Sequence, residues 1–319
     1  MCNLTVTTSP HIHDGSSTRN IMLDVTIALT PTLIAATIFF GPMVLLLTVI
    51  TISTAVLFDW GFRLVVRRDT SKIVDLSVVV TALIMVLGIP YNTPFWLSVL
   101  AVGVAVIAVK NIGKRIFSGA GRSMLNPALI GHIVVTGLAV HEVGYPVALS
   151  WLESSSYFGV DAVVSATPLQ LLADGDALPS LGELFLGIHG GTMGETSVLA
   201  LLLGAGYLMW RRVISPIIPL AYISTTMLVV TLAGHDPLIH LLSGSLVFVA
   251  FFMATDYATS PISKKGKIIF GIGCGLITAL IRLYGNTTEG VTIALLVMNI
   301  LVIFIDRLTL PKAFGYMKE

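Results

Sequence analysis

The sequence predicts an all-α integral membrane protein. Ten transmembrane helices form two inverted five-helix repeats, with an extracytoplasmic loop region between them. Three observations predict this. Hydrophobic residues make up 55% of 319 and charged residues 11%, with a mean hydropathy of +0.93, whereas a soluble domain carries about 25% charged residues. Nearly all the basic residues fall on one side of a ten-span layout. The two halves of the chain also align at a constant offset.

A helix needs about 20 apolar residues to cross the bilayer core. Residues 1–20 are polar (Ser9-Pro10-His11-Ile12-His13-Asp14) and lack the apolar core of a cleavable signal, so the first helix is expected to be its own insertion signal. The first repeat, 21–141, holds candidate spans at 21–40, 43–66, 75–90, 95–110 and 124–141. A polar excursion follows, with the loop region at 142–196. The second repeat, 197–306, holds spans at 197–210, 214–233, 238–255, 267–284 and 289–305, before a tail at 307–319. Segments 75–90, 197–210 and 238–255 are short or carry Gly, Ser and Thr, so at least one is expected to be broken or tilted.

Orientation follows from Lys and Arg. With the N-terminus inside, the inner segments hold Arg19; Arg63 to Lys72; Lys110 to Arg122; Arg211 and Arg212; Lys264, Lys265 and Lys267; and Arg307, Lys312 and Lys318. The outer segments hold one basic residue, Arg282, and the excursion is acidic (Glu142, Glu153, Asp161, Asp174, Asp176, Glu183, Glu195). Both termini are therefore expected in the cytoplasm. An offset of 166 residues pairs Ser77 with Ser243, Tyr91 with Tyr257, Thr93 with Thr259 and Leu129 with Leu295. Five is odd, so a second copy must be inverted, and sites in such folds lie where broken helices meet.

Four stretches can carry chemistry. Gly121-Arg122-Ser123-Met124-Leu125-Asn126-Pro127-Ala128 opens the fifth span on the inner side. A water-channel reading needs two Asn-Pro-Ala boxes and only one is present; Pro near a first helical turn is ordinary, but Asn and Arg beside it are not thereby explained. Met253 to Pro261 places Asp256, Thr255, Thr259 and Ser260 at the inner end of the eighth span, as a capped helix end or as a ligand cluster. Both stretches can line one inner pocket. Pro90-Tyr91-Asn92-Thr93-Pro94, with Gly290–Thr292, marks a related outer one. The fourth stretch, Asp161-Ala-Val-Val-Ser-Ala-Thr167-Pro168, lies in the excursion. His132 and His240 stand singly on apolar spans, which favours packing or hydrogen bonding over haem ligation. Cys2 and Cys274 lack metal-ligand spacing, so an iron–sulfur cluster held by this chain alone and a structural disulfide are disfavoured; Cys274 reads as a packing residue. Acidic residues at span ends (Asp24, Asp59, Asp75, Asp256, Asp306) read as snorkelling or capping, and no carboxylate pair marks an ion path.

These residues resemble those of a known family, the D subunits of Rnf complexes, related to the B subunit of the Na⁺-translocating NADH:quinone reductase. The likeness covers essentially the whole chain. It rests on Ser9-Pro10-His11-Ile12-His13 with Met22-Leu23-Asp24, Leu125-Asn126-Pro127-Ala128, Ser165-Ala166-Thr167-Pro168-Leu169, Phe252-Met253-Ala254-Thr255-Asp256 with Thr259-Ser260-Pro261, and Gly271-Ile272-Gly273-Cys274-Gly275 with Ile281-Arg282. The resemblance implies membership of a bacterial inner-membrane complex that couples electron transfer between reduced ferredoxin and NAD to Na⁺ or H⁺ transport. It implies partners in the other subunits (A, B, C, E and above all the outer FMN-carrying G) and in a flavin transferase. It also implies a covalent FMN joined through its phosphate to Thr167, and a non-covalent riboflavin. Asp161 opens the attachment motif; Ala162, Val164 and Ser165 depart from its usual Gly, hydroxyl and Gly. Asn126, Arg122, Asp256 and Thr259 are expected to grip the inner flavin, and Thr93 and Thr292 to flank the outer one. A chain without metal ligands needs an organic cofactor to carry electrons, and a phosphoester to Thr is expected to need an exposed hydroxyl. The alternative reading is an inverted-repeat transporter or channel for a small neutral solute; a third is a scaffold without chromophore.

Overall fold

The first helix starts at a side-chain cap. The Ser17 hydroxyl accepts the Asn20 amide at 3.2 Å, satisfying one of the amides that a helix start leaves open. The structure, a computed structural model, describes residues 17–67, 75–113, 125–139, 145–149, 164–285 and 290–309. Its helices are α1 (Thr18–Phe40), α2 (Met43–Phe62), α3 (Leu76–Leu87), α4 (Phe95–Gly103), α5 (Pro127–Ala139), α6 (Pro168–Asp174), α7 (Leu181–Leu186), α8 (Val198–Trp210), α9 (Ile217–Leu232), α10 (Pro237–Leu242), α11 (Leu246–Phe248), α12 (Lys264–Tyr284) and α13 (Gly290–Thr309). π-Helical turns continue α2 over Arg63–Arg67, α4 over Val104–Gly113 and α11 over Val249–Met253. One two-residue antiparallel pair departs from all-α among the described residues: β1 (Tyr145–Pro146) with β2 (Val164–Ser165).

Every expected apolar segment contains a helix. Five are long and apolar enough to cross a membrane: Thr18–Phe40, Met43–Val66, Phe95–Gly113, Lys264–Tyr284 and Gly290–Thr309. Four further apolar helices are shorter. The chain is a multi-pass membrane protein by this measure, and its outward faces agree. Ile27, Ile34, Ile38, Val49, Leu57, Leu220 and Leu228 are 51–63% exposed, a density of outward aliphatics that suits lipid rather than water. Threonines within these helices return their hydroxyls to the preceding turn, as in Thr48 to Val44 O and Thr51 to Leu47 O, both at 2.7 Å. These hydroxyl hydrogens are thereby kept from hydrocarbon.

The segment at 238–255 is the broken one. It divides into α10 and α11 around Ser243–Gly244, where Gly244 takes φ +69. Helix α3 is also short. Its 12 residues span about 18 Å at 1.5 Å per residue, well under the roughly 30 Å core. The carbonyls at its end find donors in an unexpected place: Gly194 N bonds Leu87 O at 2.6 Å and Met193 N bonds Ile89 O at 3.2 Å. Residues 189–198, most of them within the expected loop region 142–196, are accordingly buried against the helices. Glycine permits this approach, because a Cβ on Gly194 would lie 2.8 Å from Leu87 O.

The halves pack in the same order. Helix α2 lies against α3 and α4, and α4 against α5; α9 lies against the α11 segment and α12, and α12 against α13. Shifted by the 166-residue offset, α3 falls on the α11 segment, α4 on α12 and α5 on α13. The halves meet along α1 and α8.

Candidate functional site

Thr167 is the N-cap of α6. Its hydroxyl accepts the Gln170 amide at 3.4 Å, and Gln170 Oε1 accepts the Thr167 amide at 2.9 Å. This reciprocal box is completed by Pro168 at the first helical position, where its missing N–H costs nothing. The expectation of an exposed hydroxyl is corrected: Thr167 is 5% exposed, because a capping side chain folds over its own first turn. The cap uses a lone pair of the oxygen. The hydroxyl hydrogen, which a phosphoester replaces, donates to no group among the described residues. Asp161 and Arg122 lie outside the described residues; Ser165 belongs to β2.

Next to this cap is a cavity of about 820 Å³, walled by α6, α10 and the C-terminal end of α12, within the usual size of a small-molecule site. Ala166, Leu169 and Gln170 line it from the Thr167 side, and His235, His240 and Arg282 from the other. Arg282 donates from Nη1 to His240 O and from Nη2 to Ser243 O at 3.2 Å. It therefore satisfies carbonyls released where the α10–α11 segment breaks. Its Nε, and both ring nitrogens of His240, are buried without a hydrogen-bond partner among the described residues. The His235 and His240 rings stand edge to face, 6.0 Å between centroids. The Arg282 and His240 nitrogens without partners lie beneath the cavity surface rather than on it, and what the wall offers a ligand is the positive charge of Arg282, which suits an anionic group. On sequence grounds His240 reads as a packing or hydrogen-bonding residue rather than a haem ligand, and Arg282 counts for orientation and for the family resemblance. A solitary basic residue on an acidic side is the signal that could have found the cavity.

The inner stretches do converge. Asn126 and Asp256 line one cavity with Ser77, Thr255 and Tyr257. Asn126 Oδ1 caps α5 by accepting the Ala128 amide at 2.9 Å, and Nδ2 donates to Met253 O at 3.4 Å, tying the halves together. Asp256 accepts the Ala258 amide at 3.4 Å and the Thr259 hydroxyl at 3.2 Å. Burial pushes its carboxyl above the ordinary range, and those two bonds oppose the rise. Thr259 thus steadies Asp256 without lining the cavity. That cavity is about 90 Å³, room for a few waters and too small for a three-ring cofactor. Thr93 and Thr292 line neither cavity; the Thr93 hydroxyl is bound to Pro90 O at 2.6 Å.

The acidic residues also differ from expectation. Asp24, Asp59 and Asp306 are buried rather than snorkelling. Asp24 accepts Tyr207 OH at 2.9 Å and Arg211 Nε at 3.3 Å; Asp59 pairs with Arg63 at 2.8 Å and Asn111 at 3.0 Å; Asp306 accepts the Ile262 amide at 3.1 Å. Cys274 is buried in the core as expected, and no metal-binding group of His, Cys, Asp or Glu is found among the described residues.

A profile of the family described as "NQR2, RnfD, RnfE" matches residues 5–315. The chain is 39% identical to the D subunit of the Na⁺-translocating ferredoxin:NAD⁺ oxidoreductase complex of Acetobacterium woodii, over 99% of this chain and 96% of that one. It is 36% identical to the D subunit of the proton-translocating ferredoxin:NAD⁺ oxidoreductase complex of Clostridium ljungdahlii, over 98% and 96%. It is 32% identical to the D subunit of the ion-translocating oxidoreductase complex of Actinobacillus succinogenes, over 98% of each. The first two names differ in the ion, so similarity at this level does not select one.

Proposed function

The chain belongs to the NQR2, RnfD, RnfE family, and on that premise we propose that it is the flavin-carrying D subunit of an ion-translocating ferredoxin:NAD⁺ oxidoreductase. FMN is joined through its phosphate to Thr167, and riboflavin is held without a covalent bond. The observation that carries this reading is the pairing of full-length similarity to D subunits with a ligand-sized cavity beside the Thr167 cap. Flavin bound there supplies electron uptake and release. The chain's own residues hold and orient it: Thr167 fixes one end, Leu169 and Ala166 offer an apolar wall, and the far wall presents Arg282 and His240. Since Thr167 is buried, the ester forms before α6 packs or with its strand displaced.

Riboflavin is assigned to the Asn126–Asp256 face. The cavity there is too small as it stands, so α5 and the turn after α11 have to part to admit it. Ten crossings in two inverted repeats, both termini cytoplasmic and the 164–186 region outside, form part of the same reading. It is supported by the shared packing order of the halves and by the one-sided distribution of Lys and Arg. The partners are then the remaining subunits of the complex, with the outer, FMN-bearing G component facing the Thr167 side, and a flavin transferase during maturation.

The direct test is a denaturing gel of the protein produced with its transferase. The band is expected to fluoresce as flavin, and a Thr167→Ala variant to be dark. A non-fluorescent unaltered band would overturn the attachment.

A further inference from the structure

Arg282 is an expensive residue to place at the end of a membrane helix, and two carbonyls do not exhaust it. Its guanidinium has five N–H donors. Two nitrogens serve His240 O and Ser243 O, and Nε has no partner. Gly244 makes the arrangement possible: a Cβ there would stand 2.9 Å from the Leu169 side chain and 3.1 Å from Arg282 Nη2. The chain break between α10 and α11 therefore lets the cation and the α6 wall approach each other across one cavity. His240 adds two ring nitrogens without partners. The nearest acid on the lining, Asp174, is exposed at the rim, where water screens it. Glu195 also acts on Arg282 electrostatically, but it does not line the cavity, and its Oε1 is bound to the Thr192 amide at 3.0 Å. The cavity is thus positive on its α12 side and apolar on its α6 side.

We propose that this cavity receives the ring system of the flavin carried by Thr167, and that Arg282 is the positioning residue that sets its redox potential. The proposal rests on the attachment reading above. A flavin held there would gain one negative charge on one-electron reduction and lose it on reoxidation, with ferredoxin and NAD⁺ as the external redox partners. The fixed Arg282 cation on the cavity wall would offset that charge and favour the reduced form. Arg suits this task better than Lys, because its planar fork holds two backbone carbonyls while its delocalised charge stays on the cavity wall.

The test uses the full-length chain co-produced with its transferase and freed of dissociable flavin, with the covalent flavin titrated potentiometrically. Arg282→Gln is expected to keep a fluorescent gel band while its midpoint potential moves negative. The reduced form should be at least tenfold less favoured, about 59 mV for a one-electron couple. Arg282→Lys should lie between Arg282→Gln and the unaltered chain. Should Arg282→Gln fail to fold, because it also releases two carbonyls, Ala173→Trp decides instead. It fills the cavity from α6 without touching Arg282, and is expected to expose the flavin to iodide quenching and to shift the potential the same way. A fluorescent Arg282→Gln band with an unmoved potential overturns the proposal, as does Ala173→Trp with neither change. A dark band in the unaltered chain overturns the attachment reading itself, and this inference with it.

Discussion

At the scale of single residues, Thr167 and Asn126 each do two things at once. Both cap a helix, so both would be kept by stability alone, and an Ala variant confuses the two roles by removing about 0.5–2 kcal/mol of capping. Asn caps as well as Thr but offers no hydroxyl for an ester. Thr167→Asn is therefore expected to fold with unchanged thermal stability and yet give a dark band in the flavin gel; a fluorescent Asn variant would mean attachment elsewhere. Thr167→Ser should stay bright. Asn126→Asp is the corresponding separation inside: Asp keeps the cap on α5 but loses the Nδ2 donor to Met253 O. It is expected to lower riboflavin content in the purified complex with the helix intact, as is Asp256→Ala. Unchanged riboflavin in both variants would retire that site.

At the scale of elements, small residues decide where helices touch. Gly271 and Gly275 lie one turn apart on α12 and face α9, where Cβ atoms would come within 2.7 Å of Ala221 Cβ and of Tyr222 O. The close approach lets Tyr222 OH reach Thr278 Oγ1 at 2.7 Å. Small residues at this spacing are how membrane helices gain contact without a hydrophobic drive. Gly275→Leu is expected to destabilise the chain in detergent by about 1–3 kcal/mol, the usual cost of overpacking, read as a lower unfolding midpoint in a thermal melt. Helix positions were legible in the sequence because apolar runs and their polar breaks are local: the break at Gly244 and the caps at Ser17 and Asp75 can be read from neighbouring residues. What was not legible depends on distant partners. The burial of 189–198 depends on α3 ending early, and the Arg282 cavity depends on α6 folding back over the break between α10 and α11. Asp24 illustrates the same point, since its partners Tyr207 and Arg211 are far along the chain.

At the scale of the whole molecule, the proposed topology places the Thr167 cavity and the Asn126–Asp256 face on opposite sides of the bilayer. The charge distribution argues for it: translocation across the membrane disfavours Lys and Arg in short loops, and the α6–α7 region carries none whereas the first turn of α12 carries three. Ala177 and Lys265 are both exposed, which makes them suitable probe positions. In a Cys2→Ser background, with Cys274 buried, Ala177→Cys is expected to react with a membrane-impermeant maleimide in intact cells and not in sealed inverted vesicles, and Lys265→Cys the reverse. Labelling of both from the same side would put both flavin sites on one face. That outcome would overturn the one-sided partition of Lys and Arg on which the ten-crossing layout rests.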